Sequence, residues 1–233
     1  MPITYDSIEP PHRLRVLQEL RLPIDAVRWG GAWRRIRRER TERPQLVVLV
    51  PGFGATHRSL LPLGAFLRRL GHEVSDWGLG RNTGNAQALL EALAERVTER
   101  ARKAGRAVSL VGWSLGGYLS RELARDHPEA VRKVVTLGSP VIGGPRLTAL
   151  ARWYRSRGYD LEEIERLVAE RYATPLEVPV AAIYSKRDGV VAWEACIDRW
   201  SPNTRHVEVT EGHFGMGFAP RVWSIVAEEL ESP

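Results

Sequence analysis

Gly112-Trp113-Ser114-Leu115-Gly116 holds a serine between two glycines at the spacing G-x-S-x-G. A hydroxyl presented at the tip of a tight strand-to-helix turn can attack a carbonyl carbon. It does so only where a base removes its proton and a carboxylate holds that base in the right tautomer. The same five residues also describe a plain Gly/Ser turn whose serine caps a helix. A base and an acid at suitable points of the chain separate the two readings.

Histidine is the expected base, and the chain has His12, His57, His72, His127, His206 and His213. Of these, His213 alone falls in a loop just after the last expected strand, between Gly212 and Gly215. His57 is the rival, because it follows Gly52-Phe53-Gly54 closely, but it precedes the serine. For the acid, Asp188 in Tyr184-Ser185-Lys186-Arg187-Asp188-Gly189 ends an expected strand. The order Ser114, Asp188, His213 is the one that accompanies a serine on a strand-to-helix turn. Asp-Gly is also an ordinary turn former, and Asp198 is a weaker candidate inside an expected helix. A tetrahedral oxyanion needs two main-chain N–H donors, and Leu115 and Phe53 stand where they would supply them. This chemistry requires no metal and no organic cofactor.

The elements around these residues alternate. Gln45-Leu46-Val47-Val48-Leu49-Val50 reads as a strand buried on both faces of a parallel sheet. A helix over 59–70 follows, then a strand over 72–77, a helix over 85–104, a strand over 107–111, a helix over 115–127 and a strand over 131–137. Such alternation implies a doubly wound, mostly parallel sheet of about six strands. Between 140 and 179 two helical stretches, about 146–157 and 161–172, follow one another without a strand. They read as an inserted helical cap over about 141–178. A strand over 180–184, a helix over 193–200, a strand over 206–209 and a helix over 220–230 close the chain. Trp113, beside the serine, and Trp153 and Tyr154 of the cap are expected to line the substrate pocket.

Residues 1–44 read as a helical segment packed on the core, ahead of a catalytic domain over 45–233. Trp29 and Trp33 share one face of that segment while Arg34, Arg35, Arg37 and Arg38 crowd another. Packing against the core and contact with a membrane surface both suit that pattern. The 233 residues fit one domain, and 43% hydrophobic with 27% charged residues suits a globular protein. The formal charge of +6 invites a nucleic-acid reading. The arginines, however, are scattered and interleaved with glutamates, as on solvated helix faces, so no nucleic-acid partner is expected. A single cysteine, Cys196, rules out an intramolecular disulfide. With no secretory pattern at Met1-Pro2-Ile3-Thr4 and no long apolar run, a cytoplasmic location is expected.

Leu49-Val50-Pro51-Gly52-Phe53-Gly54, Gly112-Trp113-Ser114-Leu115-Gly116-Gly117, Asp188-Gly189-Val190-Val191-Ala192-Trp193 and Gly212-His213 together resemble the bacterial esterase and lipase branch of the α/β-hydrolases. The resemblance covers about residues 45–230. It implies the α/β-hydrolase fold, a serine triad, a cofactor-free acyl-enzyme mechanism and a small-molecule or lipid-like ester substrate. Two departures stand out. Pro51 replaces the histidine that many such lipases carry before the oxyanion-hole glycine, and the antiparallel strands that open larger members are missing. Thioester hydrolysis or acyl transfer would use the same triad, and a non-catalytic binding protein of the same fold is the rival from another class.

Overall fold

The computed structural model describes residues 8–16, 19, 36 and 39–232. Trp29 and Trp33, with the basic residues beside them, lie outside the described residues. So do residues 1–7, 17–18, 20–35 and 37–38 of the N-terminal segment, whose described part holds a short helix α1 (Arg13–Val16).

Six parallel strands form one sheet: β1 (Leu46–Val50), β2 (Glu73–Asp76), β3 (Val108–Trp113), β4 (Val131–Leu137), β5 (Val180–Tyr184) and β6 (Thr204–Glu208). Their order is β2-β1-β3-β4-β5-β6, so the winding reverses between β1 and β3. Ligand crevices of open α/β sheets lie outside the carboxyl ends of the strands at such a reversal. The loops after β1 and β3 are those of Phe53 and Ser114.

The apolar run of β1 serves both faces of the sheet. Val47 and Leu49 pack with α2 (Leu61–Leu70) and the C-terminal helix α8 (Pro220–Glu231). Leu46, Val48 and Val50 pack with α3 (Ala86–Ala104) and α4 (Leu115–Asp126) on the other face. A strand buried on both sides has no place for polar alternation, and the sequence has none.

Local hydrogen bonding moves several elements from their expected positions. The stretch 146–157 does not form one helix. A 3-10 turn at Gly144–Leu147 is followed by α5 (Ala151–Ser156). The residues between pair with the loop after β5, through Ala149 N to Val190 O at 2.7 Å and Ala192 N to Leu147 O at 3.0 Å. The second stretch is α6 (Leu161–Tyr172), capped by Asp160. The expected helix over 193–200 stops as a 3-10 turn at Trp193–Cys196. Asp198 ends it by accepting the N–H groups of Trp200 and Ser201, each at 2.9 Å, a local bond that competes with helix. His213, expected in a loop, is the first residue of a short helix α7 (His213–Phe218). No helix among the described residues is long and apolar enough to cross a membrane.

Candidate active site

Ser114 follows β3 directly, and α4 begins with Leu115. Its backbone, at φ 54 and ψ −124, is the only one among described non-glycine residues with positive φ. Such a conformation costs of order 1–3 kcal/mol and persists only where the surroundings impose it. Here they do. The Ser114 N–H donates to Leu137 O at 2.8 Å, tying the turn to β4. A Cβ on Gly112 would stand 2.5 Å from Gly117 N, and one on Gly116 would overlap Val50 O. The glycines of the motif are thus needed for close approach of strand, turn and helix. The serine side chain makes no hydrogen bond to the α4 backbone, which removes the helix-capping reading.

Asp188 and His213 meet although 25 residues separate them. His213 Nδ1 lies 2.7 Å from Asp188 Oδ2, and both side chains are buried. The other aspartate oxygen accepts the N–H groups of Val190 and Val191, each at 2.8 Å, so the carboxylate cannot swing away. With the carboxylate ionised, Nδ1 carries the proton and Nε2 is left as an acceptor. Burial presses the imidazole toward its neutral form. The Asp188 charge and hydrogen bond, helped by the charge of Glu19, outweigh it, so the His213 pKa is raised. Trp113 Nε1 donates to His213 O at 3.2 Å, which fastens α7 to the residue preceding Ser114.

The rivals are accounted for. Asp198 forms a fully buried ion pair with Arg121 and accepts the Tyr172 hydroxyl at 3.1 Å, so its carboxylate is already committed. His57 begins a 3-10 turn ahead of α2. Cys196 is buried, and burial pushes its thiol pKa well up.

A cavity of about 810 Å³ opens at Ser114 and Leu115 and has Phe53 on its rim. Leu90 of α3, Tyr118 of α4 and Ile164 and Val168 of α6 line it, as do the charged residues Asp126 and Arg171. Arg171 is paired there with Glu122 and with Asp126, the latter at 2.8 Å. Tyr154 lines the cavity. Trp113 and Trp153 do not. The Trp113 ring is turned into the core against His213, Phe214 and Phe218, drawn there by its indole hydrogen bond. Trp153 is more than a third exposed and packs edge-on against Phe53, with ring centres 5.0 Å apart. It supports a rim residue and does not face the cavity.

Leu115, as the first residue of α4, leaves its N–H without an intrahelical acceptor. Phe53 sits in a loop braced by Asn82, a fully buried residue that the motifs did not single out. Asn82 Nδ2 donates to Pro51 O at 2.8 Å, its carbonyl accepts Gly54 N at 2.8 Å, and its N–H donates to Ala55 O at 2.9 Å. Its only trace in the sequence is Asn82-Thr83-Gly84, a turn-forming set. Glu19, which accepts the N–H of His213 at 2.8 Å, left no trace in the sequence motifs at all. Among the described residues no group of three or more His, Cys, Asp or Glu could hold a metal ion.

A six-stranded parallel sheet with a strained serine after its third strand defines a class, and the alpha/beta hydrolase family model matches residues 47–227. The chain belongs to that family. Among curated relatives it is similar to the pimeloyl-[acyl-carrier protein] methyl ester esterase of Klebsiella pneumoniae, 46% identical over 68 residues, which are 29% of this chain and 25% of that protein. The enzyme of the same name from Vibrio vulnificus is 33% identical over 106 residues, 46% of this chain and 39% of that protein. The matches therefore span well under half of either relative. Among solved structures, a lipase-esterase related protein from Clostridium acetobutylicum aligns with a TM-score of 0.63 at 16% identity, over 82% of this chain and 97% of that one. Lipase B of Aspergillus fumigatus aligns with a TM-score of 0.62 at 17% identity, over 81% and 52%. At those identities the likeness is one of fold.

Proposed function

We propose that this protein is a serine hydrolase that cleaves carboxylic esters of an elongated apolar acyl group through an acyl-enzyme. Ser114 is the nucleophile, His213 the general base and Asp188 the carboxylate that orients it. The observation that carries the reading is the 2.7 Å contact between Asp188 Oδ2 and His213 Nδ1, fastened through Trp113 to the strained Ser114 turn. The names of the esterase relatives agree with the ester class.

In this mechanism Ser114 Oγ attacks the ester carbonyl carbon as His213 Nε2 takes the serine proton. The N–H groups of Phe53 and Leu115 receive the oxyanion, each worth about 2.7 to 4 kcal/mol of barrier. The tetrahedral intermediate breaks its bond to the alcohol oxygen, which leaves with the proton from His213. Water then attacks the acyl-enzyme, giving its proton to His213, and Ser114 departs with that proton restored. The apolar walls at Leu90, Ile164 and Val168 suit an acyl chain, and the 144–172 segment acts as the cap over it.

Hydrolysis of p-nitrophenyl esters from acetate to palmitate, with fluorophosphonate labelling in parallel, tests this reading. Turnover and labelling are expected in the wild type and absent in Ser114→Ala. A folded wild-type protein that neither labels nor turns over any ester or thioester would overturn it.

A further inference from the structure

Glu19 is buried, at 7% exposure, and its carboxylate accepts three main-chain hydrogen bonds. Oε1 takes the N–H of Gly189 at 2.9 Å and that of His213 at 2.8 Å, and Oε2 takes the N–H of Phe214 at 3.0 Å. Gly189 directly follows Asp188, and Phe214 directly follows His213. One side chain from outside the sheet thus joins the loop that carries Asp188 to the first turn of α7, which carries His213.

Two glycines leave the room for this. A Cβ on Gly212 would stand 2.8 Å from both Glu19 carboxylate oxygens. One on Gly189 would stand 2.5 Å from Arg15 O and 3.1 Å from Val16 N, the main chain just ahead of Glu19. Gly212 is extended at φ −69 and ψ 177, a conformation open to any residue. The missing side chain, not backbone freedom, is what the site uses there.

We propose that Glu19 is a positioning residue of the active site, a buried anionic clasp that holds the Asp188 and His213 loops in register and favours the imidazolium formed when His213 takes the serine proton. The proposal rests on the reading of Ser114, Asp188 and His213 given above. A carboxylate can take all three N–H groups on its two oxygens, where a carboxamide would turn an NH2 donor toward one of them, and its charge, buried close to the imidazole, adds an electrostatic part to the positioning. The charged groups acting on His213 are Asp188, from the β5 loop, and Glu19, from the N-terminal segment. Both raise its pKa.

The test compares wild type, Glu19→Gln, Glu19→Ala and Gly212→Ala. It reads kcat and KM across pH, Tm, and the NMR titration of the His213 imidazole. Glu19→Gln keeps one acceptor oxygen, enough for the N–H groups of Gly189 and His213, but loses the charge and the acceptor for Phe214. Its kcat is expected to fall about 10- to 100-fold, as for other groups that orient a catalytic ligand. KM should stay within about twofold, the pattern of an interaction made in the transition state. His213 should titrate at lower pH. Gly212→Ala displaces the carboxylate while leaving Glu19 in the chain, so it should reproduce the loss in kcat even if Glu19→Ala does not fold. Combining Glu19→Gln with Gly212→Ala should cost little more than either alone. Folded Glu19→Gln and Gly212→Ala proteins with lower Tm but wild-type kcat and an unmoved His213 titration would overturn the proposal. Absence of turnover and fluorophosphonate labelling in the wild type would instead strike the serine-hydrolase reading, while the NMR titration still reports whether Glu19 acts on His213.

Discussion

A Cβ on Gly138 would stand 2.8 Å from Asp188 Oδ2, and 3.0 Å from His213 Nδ1. Gly138 follows β4, sits at φ +54, and donates its N–H to Ile183 O at 2.9 Å, so it cannot withdraw. The space beside the Asp188 and His213 pair exists because this residue has no side chain. Gly138→Ala is therefore expected to force the pair apart and to lower kcat/KM by about 100-fold or more, since displacements near 1 Å in such sites cost that much. The left-handed backbone adds about 1–2 kcal/mol of strain. Ester kinetics beside calorimetry check this, and wild-type turnover by Gly138→Ala would refute the packing argument.

The raised pKa of His213 sets the pH dependence of both activity and stability. With His213 as the proposed general base, activity needs the neutral imidazole, so kcat/KM should climb with pH through a value above the ordinary histidine pKa of about 6.5. The stability contribution runs the other way. A pKa raised by folding stabilises fully below about pH 6.5 and loses that contribution as pH rises through the folded value. Asp188→Asn removes the largest favourable influence on the cation. It should shift the ascending limb to lower pH and cut kcat by about 10⁴-fold, through the wrong tautomer. A pH–rate profile of Asp188→Asn that keeps the wild-type midpoint would count against this account.

The parts of this arrangement that were legible in the sequence are those with a local signature. The apolar β1 run declared a strand buried on both faces, and Gly112 and Gly116 declared a turn where strand and helix nearly touch. His213 and Asp188 could be chosen because each follows a strand. Side-chain direction could not be read, since it depends on partners distant in sequence. Trp113 turns away from the cavity to reach a carbonyl 100 residues later, and Trp153 props Phe53 from outside. Asp198 diverted an expected helix into a turn because it serves Arg121 and its own following N–H groups. Among the described residues Glu19 bonds main-chain groups, and no residue pattern encodes such a partner.

The buried pair of Arg121 and Asp198 should govern acid stability. Burial alone would raise the aspartate pKa, but Arg121 and the N–H groups of Ser201 and Trp200 hold it well below the usual range. A depressed pKa contributes stability that is present above the unfolded value, about 3.9, and is lost as pH falls through the folded one. Asp198→Asn keeps an acceptor for the N–H groups but leaves the Arg121 charge uncompensated, which costs about 3–5 kcal/mol. Urea titrations at pH 7 and pH 3 should show a large gap between wild type and variant at pH 7 that narrows at pH 3. An equal gap at both would contradict the assignment.

The cavity should read acyl-chain length. Its walls at Leu90 and Ile164 are apolar and belong to α3 and α6, not to the Ser114 turn. An indole placed there narrows the cavity and leaves the Ser114, Asp188 and His213 side chains in the chain unchanged. Each buried methylene contributes about 0.8 kcal/mol, so excluding four of them removes about 3 kcal/mol, or roughly 100-fold in kcat/KM. Leu90→Trp and Ile164→Trp should therefore cut turnover of p-nitrophenyl decanoate by about that factor, while acetate, which occupies only the Ser114 end, keeps nearly its wild-type rate. The comparison is internal to each variant, so a partly unfolded preparation lowers both esters equally and leaves their ratio unchanged. A decanoate-to-acetate ratio equal to that of the wild type in both variants would mean that the acyl chain does not enter this cavity. The apolar wall between α3 and α6 would then have to be assigned to the alcohol side of the ester.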